Sequence, residues 1–200
     1  MAEIFFPSCK AKAAFPKSSQ KLAAYIKRRY NVDPIGCCKL NNSKLTKDDT
    51  AIILCLNCAR VISANAEYKN IQYLWEIIDQ DADFIFPDYQ GQQMALQDCH
   101  LAKGQKNVQD AVRSLMTKMN IQIVELEKKR DNADHCASYE IVGYHRERPL
   151  TEEEQRVYFY NRYQDVETDW IVSYCKYCND GVNLSGKKGK HILELLFPEE

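Results

Sequence analysis

The residues best able to do chemistry in this 200-residue chain are its nine cysteines: Cys9, Cys37, Cys38, Cys55, Cys58, Cys99, Cys136, Cys175 and Cys178. An odd set does not complete a disulfide framework, and a reducing compartment keeps unassigned thiols reduced. Metal or redox chemistry is therefore the first expectation. Two spacings are C-x-x-C, Cys55-Leu-Asn-Cys58 and Cys175-Lys-Tyr-Cys178. Such a turn places two thiolates within reach of one metal site. The adjacent Cys37 and Cys38 both ligate only if the backbone bends or the metal assembly is larger than one ion. In the second half His135-Cys136 takes the place of that pair. Each half thereby offers five candidate ligands: Cys9, Cys37, Cys38, Cys55 and Cys58 in the first, and Cys99, His135, Cys136, Cys175 and Cys178 in the second. A tetrahedral zinc takes about four ligands, so five suit a polynuclear cluster better. Soft thiolates select iron–sulfur clusters, zinc or copper(I) over hard cations.

The elements that must position these thiols recur twice along the chain. Each C-x-x-C follows a short apolar run, Ala51-Ile-Ile-Leu54 or Trp170-Ile-Val-Ser-Tyr174, which predicts both pairs at strand ends. A lone cysteine opens each half, Cys9 after Ile4-Phe-Phe-Pro-Ser8 and Cys99 within Gln97-Asp-Cys-His-Leu-Ala-Lys103. Helical spacing follows each, through Leu22, Tyr25 and Ile26, with Ser18 or Ser19 as cap, and through Val108, Val112, Leu115, Met116 and Met119. Short extended pieces come next, Val32-Asp-Pro-Ile35 and Ile121 to Leu126. Closing segments Tyr73 to Ile78 and His191 to Leu196 end the two halves. This internal repeat divides the chain into residues 1–80 and 81–200, at the acidic Asp79-Gln-Asp-Ala-Asp83. Asp83-Phe-Ile-Phe-Pro87 then opens the second half as a strand or connector. Lys128 to Pro149, and the helix start at Thr151-Glu-Glu-Glu154, read as surface insertions that lengthen it. Alternating strands and helices give an α/β chain with mostly parallel pairing.

The order lone Cys, Cys-Cys, Cys-x-x-Cys resembles the cysteine-rich (CCG) domain family of the heterodisulfide reductases. Phe5-Phe-Pro-Ser-Cys9 resembles that family's opening motif, and Asp98-Cys-His is similar to its Asp-Pro-Cys-His without the proline. The resemblance implies two related Rossmann-like βαβ halves, each carrying a CCG-type motif and an iron–sulfur cluster. In the family the cluster is often a non-cubane [4Fe-4S] form held by five cysteines. It also implies thiol–disulfide reduction or electron transfer within a redox complex, the cluster doing the redox chemistry and the protein supplying orientation and access. Helix amino termini after Cys9, Cys58, Cys99 and Cys178, with Lys10, Lys12, Lys103 and Lys176, would offset sulfur charge. The chain departs from the pattern at Lys39 and Ala137, where the family has glycine after the paired cysteines, and at His135, where it has cysteine. Imidazole in place of thiolate raises a cluster's potential. The first half keeps all five thiols and is the stronger expected cluster site.

Composition narrows the alternatives. The formal net charge is −1, which supplies no global field for nucleic acid. No apolar run approaches the roughly 18 residues of a membrane span, and the Met-Ala-Glu-Ile-Phe-Phe start lacks a signal peptide's pattern, so a cytoplasmic location is expected. The aromatics Tyr158-Phe-Tyr160, Tyr163 and Trp170 resemble core packing more than a base-stacking platform. Neither a phosphate-binding loop nor a dinucleotide fingerprint is present, nor the ferredoxin cysteine run. Electrons for reducing a small-molecule or protein disulfide must therefore come from a ferredoxin-like or flavoprotein partner. The competing reading is a non-catalytic scaffold, with zinc in either site as a structural staple.

Overall fold

The computed structural model describes residues 2–64 and 70–199. Its contacts gather into two units, residues 1–85 with 197–200, and residues 86–196. The first unit runs β1 (Glu3–Phe6), α1 (Cys9–Ala14), α2 (Pro16–Tyr30), α3 (Cys38–Asn41), β2 (Thr50–Ile53), α4 (Leu56–Ser63), β3 (Ile71–Tyr73) and α5 (Leu74–Asp79). Its three strands are parallel in the order β1-β2-β3. Ala51, Ile52, Ile53 and Leu54 are buried one after another, the pattern of a central parallel strand covered on both faces.

The expected extended piece after α2 contributes one bridge, Pro34 to Phe5, beside β1. Proline carries no N–H for the ladder, so pairing does not extend there. Helix α2 starts at Pro16, whose fixed φ suits a first helical position. Ser18 and Ser19 therefore lie inside the helix, buried, and do not cap it. The helix ends at Asn31 in the left-handed region. From its buried face Tyr25 donates to Asp81 at 2.7 Å, and Arg29 pairs with the same carboxylate at 2.8 Å. Phe84 meets the Tyr25 ring edge-on at 5.4 Å, and Phe197 edge-on at 5.6 Å. Half-buried Phe84 thus packs within the first unit, and the 83–87 segment is a connector without a strand.

The second unit runs β4 (Gln93–Gln97), α6 (Lys106–Lys118), β5 (Gln122–Glu125), α7 (Ser138–Ile141), α8 (Glu152–Tyr163), β6 (Trp170–Ser173), α9 (Lys176–Leu184), β7 (Lys188–His191) and α10 (Ile192–Leu196). Its four strands are parallel in the order β5-β4-β6-β7. Thr151 and Glu154 form a reciprocal capping box at the start of α8. The lengthened region is not confined to the surface: Ala137, Glu140, Phe159 and Tyr163 are all buried. Phe159 packs so closely on α9 that a Cβ at Gly181 would lie 2.5 Å from its ring. Gly181→Ala is expected to cost about 1–3 kcal/mol through overpacking, read as a lower urea midpoint at an unchanged slope.

Among the described residues no helix is long and apolar enough to cross a membrane.

Candidate metal centre

Both C-x-x-C pairs begin where a central strand ends. Cys55 caps α4 after β2, and Cys175 caps α9 after β6, leaving Cys58 and Cys178 in the first helical turns. The helix starts are thus at the first cysteine of each pair and not after the second. In the first unit Ser8, at φ 64°, turns the chain from β1 into α1, and its hydroxyl accepts from Ala11 N–H at 3.3 Å. Cys9 is the first residue of that helix, and Cys37 is the cap of α3.

These turns bring the first unit's five thiols into one connected series. Cys9 interacts with Cys37, Cys37 with Cys38, Cys38 with Cys58, and Cys58 with Cys55. Cys38 and Cys58 are packed among Phe6, Leu45, Ile53 and Ile62, while Cys9 is exposed. The thiol of Cys37 is shifted down, first by the Lys39 backbone N–H and also by that of Leu40. Cys58 is shifted strongly upward by its hydrogen bond to Cys55 and by burial. Lys10 favours the Cys9 thiolate, but burial and Cys37 outweigh it.

The second unit holds the tighter group. The sulfurs of Cys136, Cys175 and Cys178 lie within 4.8 Å of one another, and the Cys99 thiol interacts with Cys175. The Cys175 thiol is shifted well below its ordinary value by hydrogen bonds from Cys136, then Cys178 and Cys99. Cys136 rises to about 11, chiefly through Cys175. Ser138 also donates to the Cys136 sulfur at 3.1 Å.

His135 stands outside this triad. Its Nε2 faces Glu140 at 2.8 Å and the Tyr158 hydroxyl at 3.3 Å, and its ring stacks on Tyr139. The physical reason is Glu140, a fully buried carboxylate that draws both His135 and Arg146 to one oxygen at 2.8 Å. The expected five-ligand set of the second half is accordingly four thiols with a hydroxyl donor. Lys176 pairs with Asp180 and leaves the thiols to other donors.

Asp98 is the residue whose part sequence reasoning missed. Fully buried, it takes both Arg113 nitrogens at 3.1 and 2.7 Å, the Arg130 N–H at 2.7 Å and the Tyr174 hydroxyl at 2.8 Å. The same hydroxyl accepts from the Cys99 N–H. One carboxylate thus joins the residue before Cys99 to the residue before Cys175. His191, its pKa lowered to about 4 by burial, also bonds the Tyr174 backbone. The sequence signal was present in the polar Asp98 directly after an apolar strand, with Arg113 on the helix that follows.

The donor sets fit a soft metal. Buried thiols crowded together share protons at mutual cost, and a thiophilic cation replaces those protons with bonds to thiolate. His100, beside Cys99, adds a buried Nδ1 with no hydrogen-bond partner among the described residues. Comparison with family models, curated proteins and solved structures returns no match.

Proposed function

We propose that the chain is built of two related halves, each holding a thiolate-ligated iron–sulfur centre, and that it acts in thiol–disulfide reduction or electron transfer within a redox complex. The observation that carries this reading is the linkage of all five thiols of the first unit, drawn from three separate turns. The relation between the halves is supported by topology. In each, the strand before the lone cysteine lies next to the strand before the C-x-x-C, and the closing strand lies beyond it. The Pro34 bridge occupies the place in the first unit that β5 holds in the second.

Such a centre supplies electrons singly and a thiophilic iron for the sulfur released from substrate. Reduction of a disulfide takes two electrons and two protons and yields two thiols. A ferredoxin-like or flavoprotein donor supplies the electrons, and solvent the protons. The chain's own residues hold the thiolates in place through Asp98, Tyr174 and the caps at Cys37, Cys55 and Cys175. Exposed Cys9 leaves the first centre open to a partner.

Anaerobic purification followed by a visible spectrum and by iron and acid-labile sulfide analysis tests this. A brown protein containing both elements is the expected result. A colourless, zinc-loaded protein would overturn it in favour of a metal-stapled scaffold. One observation favours that second reading for the second unit, whose four thiols match the number a tetrahedral zinc takes.

A further inference from the structure

The second unit contains a cleft of about 910 Å³ on one side of its sheet. Gln97 and Val124 to Leu126, at the carboxyl ends of β4 and β5, form one wall, and α8 contributes Tyr158, Arg162 and Tyr163. Ligands of open parallel sheets bind at those strand ends. The volume lies in the range of small-molecule sites.

Arg162 distinguishes this cleft from an ordinary surface groove. Its side chain is only 7% exposed, yet its nearest acceptors lie at long hydrogen-bond distance. The guanidinium meets His135 C=O at 3.4 Å, the Gln97 side-chain oxygen at 3.3 Å, Asp134 at 3.6 Å and the Tyr163 ring at 5.3 Å, and Nε has no hydrogen bond. Part of that weak coordination is already committed, since the Gln97 oxygen accepts from Tyr163 at 3.1 Å and Asp134 pairs with Lys128 at 2.9 Å. Arg113, in the same unit, shows what a satisfied buried guanidinium looks like, with carboxylate oxygens of Asp98 and Glu125 at 2.7 to 3.1 Å. A buried cation so poorly matched is completed by an anion from outside the chain, and the planar guanidinium fits a carboxylate best.

The rim has the opposite sign. Asp165 and Glu167 line the cleft, are exposed, and make no ion pair among the described residues. A polyanion is disfavoured there, whereas an ammonium is welcomed. His135, which precedes Cys136 in the chain, also lines the cleft.

We propose that this cleft binds a small zwitterionic, amino-acid-like disulfide, its carboxylate on Arg162 and its ammonium toward Asp165 and Glu167. As a substrate assignment this rests on the disulfide-reducing reading above, while the binding itself rests on the cleft alone.

Isothermal titration of the whole chain with cystine, and with cystamine as the same disulfide lacking carboxylates, tests the proposal. Cystine is expected to bind at least about tenfold tighter than cystamine, the scale of one charge-assisted contact. Arg162→Gln is expected to lose that advantage and Arg162→Lys to recover part of it, both with wild-type circular dichroism. Equal affinity for the two probes in the wild type overturns the proposal even if the variants fail to fold. So does an Arg162→Gln protein that binds cystine unchanged. Iron and sulfide content, measured on the same preparations, decides the cluster reading separately: binding without iron leaves the cleft assignment standing, and iron without binding removes it.

Discussion

Asp98→Ala is expected to destabilise the second unit by about 3–5 kcal/mol, the cost of breaking a buried ion pair by removing one partner. The carboxylate is fully buried, and its loss strips Arg113 of two hydrogen bonds and orphans the Tyr174 hydroxyl and the Arg130 N–H. Glu125, the other acid on Arg113, is 32% exposed at its side chain, so Glu125→Ala is expected to cost about 1 kcal/mol. Urea unfolding of the two variants reads the difference, and equal midpoints would show that Asp98 is not the pivot. Burial alone would raise the Asp98 pKa, but Arg113 and the Arg130 N–H hold it below the usual carboxylate range. With a depressed folded pKa, its stabilisation is complete above about pH 4 and fades as pH falls through the folded value. Asp98→Asn should therefore flatten the acid limb of the stability profile. Because the same carboxylate steadies the turns bearing Cys99 and Cys175, both variants are also expected to weaken metal binding in the second unit.

That the structural role of Asp98 escaped sequence reasoning has a physical cause. The C-x-x-C turns were legible because a strand buried on both faces reads as a continuous apolar run, and both Ala51 to Leu54 and Trp170 to Tyr174 do so. The α/β class follows from the same alternation, and the two parallel sheets agree with it. Pairings over long separations leave no such local trace. Asp98 meets Tyr174 across 76 residues, and Phe84 meets Phe197 although their spacing carries no period. The insertion around Cys136 looked solvated because its charges outnumber its apolar residues, yet Glu140 is buried with His135 and Arg146 gathered on it. That carboxylate explains why His135 turns from the thiols. A residue type suited to ligating metal was claimed by a stronger local electrostatic demand. The first half keeps five thiols, but among the described residues the three sulfurs that lie within 4.8 Å of one another belong to the second. Count of donors is a sequence property, whereas their separation depends on how two helix starts and one loop converge.

Graded serine substitution in the first unit separates a shared centre from isolated thiols. The five sulfurs form a series in which Cys37 and Cys38 connect Cys9 to the Cys58–Cys55 pair. Replacing both with serine leaves three thiols and no link between Cys9 and the pair, fewer than the roughly four donors that a single metal or cluster needs. Loss of that centre's visible absorbance is the expected result, with iron per chain falling by about half if both units are loaded. Cys9→Ser removes only the exposed end of the series and leaves four thiols connected. It is expected to keep a chromophore with an altered spectrum. Cys9 is exposed, Cys37 half-buried and Cys38 buried, so the two variants differ in burial as well as in connectivity. Far-ultraviolet circular dichroism is therefore the control that both fold. An unaltered spectrum in the double variant would remove Cys37 and Cys38 from the centre. Equal bleaching in both variants would make Cys9 as essential as the two thiols that bridge it to the rest.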